Sequence, residues 1–213
     1  MSIQQVMNRK KNSEGSRNNI INIRRSQLTK AAFNVVGRKG YYDFTIKDIA
    51  VEAGLSTGLV HYYFKNKEDL LLNLLKEMNK NITMFLNKEI EKSKDPVEKL
   101  KIFVTHAFDI AVNRKEYIYI VIDFLTQVNR NERMKRANKK LFKSYRDECA
   151  KILDEGMEKN IFKEMDVQYT ATFIISIIQG LIMQYAVDDA ILNYDKYTKN
   201  IMNFINRFVL RTD

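Results

Sequence analysis

The 213-residue chain is 45% hydrophobic and 29% charged, an ordinary globular composition with enough apolar side chains for a sizeable core. Its 36 Lys and Arg residues against 26 Asp and Glu residues leave a net charge of +10, which favours a polyanionic partner. One proline and seven glycines favour long helices, and the lone Cys149 excludes an intramolecular disulfide and suits a reducing, cytoplasmic compartment.

The chain is predicted to lack membrane segments. The longest apolar runs, residues 118–125 and 173–183, are shorter than the roughly 20 residues that a membrane helix needs. The first twenty residues contain no continuous apolar stretch, so we expect no secretory signal. These features predict a soluble cytoplasmic protein without a membrane partner.

The N-terminal part is predicted to be a flexible arm followed by a small helical domain. Residues 1–19 are polar, basic and without period, which is typical of a flexible arm. A helix is expected from Asn22 to Lys39, with Gly40 as its stop. Next come two short helices, one capped by Thr45 and ending at Ala53, the other capped by Ser56 and ending at Phe64, with Gly54 in the turn between them. The predicted domain spans residues 20–66.

The remainder, residues 67–213, is predicted to form a larger helical domain. Apolar periodicity and the Asp95-Pro96 start signal predict helices over 67–92, 96–113, 116–128, 131–160, 166–188 and 194–210. No stretch alternates with period two for long enough to demand a strand. The predicted fold class is therefore all-α with about nine helices. Residues 1–70 hold 12 Lys and Arg against 6 Asp and Glu, so the N-terminal unit carries more than half of the excess positive charge.

The helix predicted over residues 57–64 has two different faces. At about 100° per residue, Thr57, Gly58, His61 and Tyr62 lie within about 140° of one another. Leu59, Val60, Tyr63 and Phe64 lie on the opposite, apolar side. A face that is small at its beginning and then polar and aromatic suits entry into the major groove, where hydroxyl and imidazole groups meet base edges.

Flanking residues fit the same interpretation. Thr45, Ser56 and Tyr62 offer hydroxyl groups to phosphates, and Lys67 stands at the start of the next helix. Lys47 lies in the first turn of the preceding helix, within reach of a base or a phosphate. Taken alone, this helix pair is also compatible with a purely structural helical hairpin.

The stretch T-I-K-D-I-A-x-E-A-G-L-S-x-G-L-V-H-Y-Y-F-x-N-K-E-D-L closely resembles the helix-turn-helix signature of the tetracycline-repressor (TetR) family. The resemblance is dense over residues 24–70. It implies an all-helical, homodimeric, sequence-specific regulator of transcription, usually a repressor that a small molecule releases from a palindromic operator. His61 occupies a position that is often tyrosine in that family, which leaves its base preference open.

Residues 71–213 contain no recognisable catalytic constellation. The only histidines, His61 and His106, are far from Cys149 in the sequence, and no metal-ligand spacing, glycine-rich phosphate loop or G-x-S-x-G turn occurs. We therefore expect neither an enzyme nor a bound cofactor or metal. A helical carrier or enzyme with an incidental basic head is the alternative of another class, and an activator of the same fold is a third.

A pocket for a largely apolar effector is predicted among the central helices. Polar residues stand there among apolar and aromatic neighbours, as in many ligand sites. The candidate ligand-binding residues are Phe103, His106, Asp109, Tyr117, Asp123, Phe124, Gln127, Gln179 and Met183. Alternatively, His106 is a core or surface histidine and Asp123 faces water. If acidic Asp109 or Asp123 lined the pocket beside aromatic rings, the pocket would suit a cation.

The last two predicted helices are interpreted as a dimer interface. Residues 173–185 are apolar nearly all round, and residues 197–210 add a stripe of Ile201, Phe204, Ile205 and Phe208. Two copies of this pair can form a four-helix bundle across a two-fold axis. A buried core helix in a monomer would show the same pattern.

Overall fold

The computed structural model describes residues 3–191 and 193–211, with side chains described for residues 19–190, 193 and 196–211. Within these ranges lie nine α-helices: α1 (Ile3–Asp43), α2 (Ile46–Ala53), α3 (Thr57–Tyr63), α4 (Lys67–Ile90), α5 (Pro96–Asn113), α6 (Lys115–Leu125), α7 (Glu132–Glu158), α8 (Val167–Val187) and α9 (Tyr194–Val209). A short 3₁₀ helix covers Asp189–Ile191. One isolated bridge joins Phe162 and Leu210, and no strand occurs in the described ranges. The all-α prediction is confirmed.

The chain forms two compact units, Met1–Glu77 and Met78–Asp213. The division falls inside α4, whereas the sequence suggested a boundary between residues 66 and 67. The first turns of α4 belong to the N-terminal unit because Lys67 Nζ donates hydrogen bonds to the backbone oxygens of Tyr42 and Phe44, at 3.1 and 3.0 Å. A helix start that is bonded to the preceding segment cannot be recognised from apolar periodicity alone.

The turn between α2 and α3 follows from local capping chemistry. Thr45 Oγ1 accepts from the amide of Asp48, whose carboxylate accepts from the amide of Thr45 in return, which forms a capping box at the start of α2. Gly54 ends α2 with φ 64°, a left-handed conformation that favours glycine. Ser56 Oγ then accepts from the Leu59 amide and caps α3. The predicted bounds of both helices are confirmed within a residue.

The first helix begins earlier than predicted. It starts at Ile3 rather than near Asn22, so the predicted start of this helix was wrong, while the flexibility expected of residues 1–19 stays a prediction. That segment contains no proline and only one glycine, so its sequence does not interrupt a helix. The basic side chains of the arm lie outside the described residues. The predicted stop is confirmed, since Gly40 breaks the helical backbone with φ 78° and ψ 172°.

The C-terminal unit packs α5, α7, α8 and α9 around one apolar core. Leu100, Val104 and Phe108 of α5 are fully buried there, together with Leu153 of α7. The core also contains Phe162, which sits against Gly156 so closely that a Cβ on this glycine would lie 2.0 Å from the ring. A larger residue at position 156 would therefore displace a buried aromatic side chain.

Helix α8 is the one described helix that is long and apolar enough to cross a membrane, by length and composition alone. The apolar run read from the sequence was shorter because it stopped at polar residues. A single helix of this kind is weak evidence for a membrane span, because the core helix of a soluble protein can have the same length and hydropathy. One side of α8 is buried within its own unit, through Thr170, Ala171, Ile174, Ile175, Ile178 and Tyr185.

Candidate nucleic-acid interface and ligand cavity

Helix α3 presents the two faces that its sequence predicts. Thr57, Gly58, His61 and Tyr62 are exposed, with Tyr62 64% accessible. On the opposite side, Val60, Tyr63 and Phe64 are buried and Leu59 is half-buried. The exposed face therefore combines small residues with an imidazole and a phenol, groups that can approach and hydrogen-bond base edges.

Three residues flank this helix and differ in how far their side chains are already hydrogen-bonded: Thr45, Lys47 and Ser56. Thr45 Oγ1 donates to Asp48 Oδ2 at 3.0 Å, so its hydroxyl is engaged in the capping box. Ser56 Oγ accepts a bond from the Leu59 amide, which leaves its O–H able to donate to a phosphate. Lys47 is exposed in the first turn of α2. The cap residues are thus structural as well as candidate contacts.

Side chains of α1 hold the carboxyl ends of both short helices. Gln27 Nε2 donates to the Ala53 oxygen at the end of α2, at 2.8 Å, and Arg25 donates to the Tyr63 oxygen at the end of α3, at 3.1 Å. The Arg25 guanidinium also lies 5.6 Å from the centre of the Phe64 ring. Donors at these positions satisfy helix-end carbonyls and fix α3 relative to α1.

Lys67 is half-buried and makes contacts within the fold. Besides its two backbone acceptors, its ammonium lies 3.9 Å from the centre of the Phe44 ring. Burial lowers the pKa of this ammonium, and the nearby Asp43 opposes the shift. The phosphate contact of Lys67 stays a prediction, since two of its three N–H donors are engaged within the fold. The exposed Lys65, directly after α3, was missed and offers a cation instead.

A cavity of about 290 Å³ lies inside the C-terminal unit. Five helices, α4 to α8, supply its lining. The lining residues are Ile82, Leu86, Phe103, His106, Ala107, Ile110, Tyr117, Ile118, Val121, Ile122, Leu125, Phe142, Tyr145, Ile175, Ile178, Gln179, Gly180, Ile182 and Met183. The wall is therefore mostly aliphatic, with aromatic rings and few polar groups, which is the usual composition of a site for a small apolar molecule.

The candidate ligand residues divide into two groups. Five of them line the cavity: Phe103, His106, Tyr117, Gln179 and Met183. Four lie outside its lining: Asp109 is exposed, Asp123 is half-buried, Phe124 is fully buried, and Gln127 follows the end of α6. Because α6 is apolar on most sides, its sequence did not show which side faces the cavity.

Ile82 and Leu86 of α4 and Phe142 and Tyr145 of α7 were missed as lining residues. Their signal was present, since residues 82 and 86, and likewise 142 and 145, share a helix face. In both helices these apolar positions interrupt polar stretches.

Polar groups in the cavity are neutral. The hydroxyl oxygens of Tyr117 and Tyr145 lie 2.7 Å apart in a hydrogen bond. Burial raises the pKa of Tyr145 to about 12 and that of Tyr117 well above its usual value. His106 stacks on Phe85 with ring centres 5.0 Å apart, and burial lowers its pKa against the opposing charges of Asp109 and Glu89. Its Nε2 atom is buried without a hydrogen-bond partner among the described residues.

The described residues contain no cluster of side chains suited to a metal ion. No cluster of three or more His, Cys, Asp or Glu side chains that could hold a metal ion occurs among the residues that the structure describes. Cys149 is fully buried, and burial raises the pKa of its thiol to about 12, so it is a packing residue rather than a reactive thiol.

Helices α8 and α9 carry an apolar surface, called here the α8–α9 stripe and consisting of Tyr169, Phe173, Met183, Val187, Phe204 and Phe208. All six side chains are between 38% and 90% accessible. Ring centres of Phe173 and Phe208 lie 5.7 Å apart, so the two helices form one continuous patch. Exposed Ser176 and Gly180 lie between the apolar residues of α8. Such a patch is typical of an interaction surface.

Two family models together match most of the chain. Residues 28–74 match the model described as bacterial regulatory proteins, tetR family, and residues 96–210 match the model for the C-terminal part of BetI-type transcriptional repressors. The second match alone covers more than half of the chain. This chain belongs to the TetR family. As a member, it is a DNA-binding transcriptional regulator, and the predicted function is confirmed to that extent.

Curated relatives of this TetR-family chain are regulators. The fatty acid metabolism regulator protein of Bacillus subtilis (strain 168) is 26% identical over 164 residues, covering 76% of this chain and 84% of the relative. The regulator BetI of Brucella canis is 30% identical over 114 residues, covering 54% of this chain and 58% of the relative. The match to BetI thus spans little more than half of that protein.

Solved structures share the fold. A regulator from Saccharomonospora viridis in complex with choline superimposes with a TM-score of 0.81 at 21% identity, over 90% of this chain and 100% of that one. FadR from Bacillus subtilis in complex with stearoyl-CoA gives a TM-score of 0.74 at 23% identity, over 84% of this chain and 96% of that one. At these identities the likeness establishes the TetR fold.

Proposed function

We propose that this chain is a homodimeric, cytoplasmic repressor that leaves a palindromic operator when a largely apolar effector enters the cavity. The observation that carries the proposal is that α4 belongs to both compact units. Near its start, Lys67 is bonded to the N-terminal unit, and further along, Ile82 and Leu86 form part of the cavity wall. A ligand that shifts this wall therefore acts on the helix that is bonded to the helix-turn-helix.

The lining supports an effector with an aliphatic body. Seven isoleucines, two leucines, a valine and a methionine contact the cavity, and no Asp, Glu, Lys or Arg occurs among its described lining residues. The two carboxylates that would have suited a cation, Asp109 and Asp123, lie outside it. An aliphatic wall suits an acyl chain, and FadR of Bacillus subtilis is a structural neighbour in complex with stearoyl-CoA.

The α8–α9 stripe supports dimerisation. Six large apolar side chains lie exposed on two adjacent helices, and Phe173 and Phe208 join the helices into one surface. A second copy of the same stripe, related by a two-fold axis, would cover it in a four-helix bundle. The dimer would present its two recognition helices to half-sites about one DNA turn apart, roughly 34–36 Å.

Release of the operator then follows from differential affinity. An effector that prefers a conformation with another spacing of the two α3 helices lowers the affinity for DNA, and DNA lowers the affinity for the effector by the same factor. Repression is the proposed outcome because a bound dimer obstructs the polymerase, and an activator would differ only in the position of its operator. No catalytic step is proposed.

Fluorescence anisotropy tests the proposal. The purified chain is titrated onto duplex DNA from immediately upstream of its own gene, beside a scrambled duplex, at about 50 and 200 mM salt. We expect a preference for the upstream duplex that persists at the higher salt, and release when a decyl compound such as methyl decanoate is added. Folded protein that binds neither duplex would overturn the DNA-binding assignment and favour a carrier. Specific binding that no apolar compound relieves would overturn the effector assignment.

A further inference from the structure

Two tyrosines of the cavity lining form a hydrogen-bonded pair. The hydroxyls of Tyr117 on α6 and Tyr145 on α7 are 2.7 Å apart, and one of them donates to the other. Each hydroxyl has one proton, so the accepting tyrosine retains a proton that this contact does not use. In an apolar cavity a donor without an acceptor is costly, and a ligand oxygen at this point would satisfy it.

This donor stays neutral at physiological pH. Burial raises the pKa of both phenols, so both remain protonated. Neither a cationic nor an anionic side chain occurs in the described lining to balance a charge on a ligand. A carboxylate or an ammonium brought to the tyrosine pair would lose its hydration without gaining a counter-charge.

His106 provides a second polar group in the same cavity. Its Nε2 atom is buried and unpartnered among the described residues, while its ring is fixed by stacking on Phe85. Desolvation disfavours its charged form. The cavity thus contains a neutral imidazole and a neutral phenol pair, both of which can hydrogen-bond with an uncharged polar group and neither of which compensates a full charge.

We propose that Tyr117 and Tyr145 select an uncharged head group with a carbonyl oxygen, an ester or an amide, on an aliphatic chain. The inference rests on the proposed function only in assuming that the effector occupies this cavity. The tyrosine pair donates to the carbonyl oxygen, and the aliphatic wall holds the chain. Carboxylates and quaternary ammonium compounds of the same chain length are disfavoured.

Isothermal titration calorimetry on the full chain without DNA tests this selection directly. The probes are methyl decanoate, N-methyldecanamide, decanoate and decyltrimethylammonium, which share one chain length and differ in the head group. We expect the ester and the amide to bind at least about tenfold more tightly than the two charged compounds. Equal or tighter binding of decanoate or of the ammonium compound would overturn the inference, as would binding by none of the four.

Phenylalanine variants link the preference to the tyrosine pair. Tyr117→Phe combined with Tyr145→Phe keeps both rings and removes both hydroxyls, so the ratio of ester to decanoate affinity should fall about tenfold or more. Tyr119→Phe, on the same helix but outside the cavity lining, should leave the ratio unchanged. Thermal melts establish that each variant is folded. A double variant that is folded and keeps the wild-type ratio would overturn the role of the pair.

The outcomes separate this inference from the proposed repressor function. If the ester binds selectively but operator binding is unchanged, the head-group selection is retained. The proposal that a ligand in this cavity releases the protein from its operator is then refuted. Release of the operator by decanoate at lower concentrations than by the ester would retain effector control and refute the selection.

Discussion

The ammonium nitrogen of Lys67 lies 3.9 Å from the centre of the Phe44 ring and donates a hydrogen bond to the Phe44 carbonyl oxygen at 3.0 Å. A second hydrogen bond joins it to the Tyr42 oxygen at 3.1 Å. The segment that receives these contacts lies between the Gly40 break and the Thr45 cap of α2. Lys67 therefore ties the start of α4 to the entrance of the helix-turn-helix.

Replacing this lysine should weaken both the fold of the N-terminal unit and its binding to DNA. Lys67→Met keeps the length of the side chain but loses two charge-assisted hydrogen bonds, and we expect a loss of about 1.5–3 kcal/mol in the free energy of unfolding. Chemical denaturation followed by circular dichroism measures it. DNA affinity should fall as α2 and α3 lose their fixed position relative to α4.

Lys65→Met is the matched control, since Lys65 is an exposed neighbour with the same charge. It should leave stability within about 0.5 kcal/mol of wild type, as surface changes usually do. Its DNA affinity should nevertheless decrease, in a salt-dependent manner, if it meets a phosphate. Equal stability of the Lys67 and Lys65 variants would contradict the anchoring role of Lys67.

Two residues near α3 should affect DNA binding in different ways. Lys47→Ala removes an exposed cation, so affinity should fall uniformly for all duplexes and the slope of log K against log salt should decrease by about 1. His61→Ala removes a group from the exposed face of α3, and we expect a loss of about 1–3 kcal/mol confined to the specific duplex. Anisotropy titrations on specific and scrambled duplexes measure both effects.

Lys139→Ala, on the C-terminal unit, is the control for these two changes because it removes an exposed charge of the same kind. It should leave the salt slope and the specificity at wild-type values. If His61→Ala weakened binding to both duplexes equally, His61 would be a general contact rather than a base reader.

The sequence allowed a close prediction of the helix-turn-helix because its signals are local. Thr45, Gly54 and Ser56 act on backbone groups within a few residues, and the structure shows the caps and the left-handed turn that they imply. The two faces of α3 likewise follow from helical periodicity. The backbone contacts of Lys67 were not predicted because its acceptors lie more than twenty residues away along the chain.

The cavity was only partly predictable, for a reason of geometry. Which residues line a pocket depends on which side of each helix faces it. The sequence of an amphipathic helix shows that side, whereas the sequence of a uniformly apolar helix does not. His106 was found because it is a polar group on an apolar face of α5. The position of Phe124 outside the cavity lining could not be predicted because its neighbours on α6 are apolar too. The pairing of Tyr117 with Tyr145 joins residues on different helices, which no local pattern encodes.

The Asp48 carboxylate should make stability depend on acid pH. A hydrogen bond from Lys39, followed by those from Thr45, lowers the pKa of Asp48 from its ordinary 3.8 to about 2. Because the folded value lies below the unfolded one, the stabilisation is complete above about pH 4 and disappears as the pH falls to about 2. Asp48→Asn should therefore melt at a lower temperature than wild type at neutral pH, with a difference that narrows towards pH 2.

Thermal melts between about pH 6 and 2 follow that difference. The comparison uses Asp154→Asn, an exposed aspartate of the C-terminal unit, whose melting temperature should track wild type throughout. A constant difference in melting temperature between wild type and Asp48→Asn across this pH range would show that the carboxylate acts through packing rather than charge.

Charges placed in the α8–α9 stripe should separate the proposed dimer. Phe173→Lys combined with Phe204→Lys introduces two cations per chain at side chains that are 40% and 52% accessible, so the isolated chain tolerates them. In a two-fold interface each change occurs twice, and losing the burial of these rings should raise the dissociation constant at least about 100-fold. Analytical ultracentrifugation should then show monomers where wild type forms dimers.

Met84→Lys is the control, because Met84 is also an exposed apolar side chain, 62% accessible, on α4 outside the stripe. It should remain dimeric. The monomeric double variant should also lose affinity for a palindromic duplex far more than for a single half-site, since only a dimer holds two α3 helices together. A double variant that stays dimeric would place the interface elsewhere and leave the stripe for another partner.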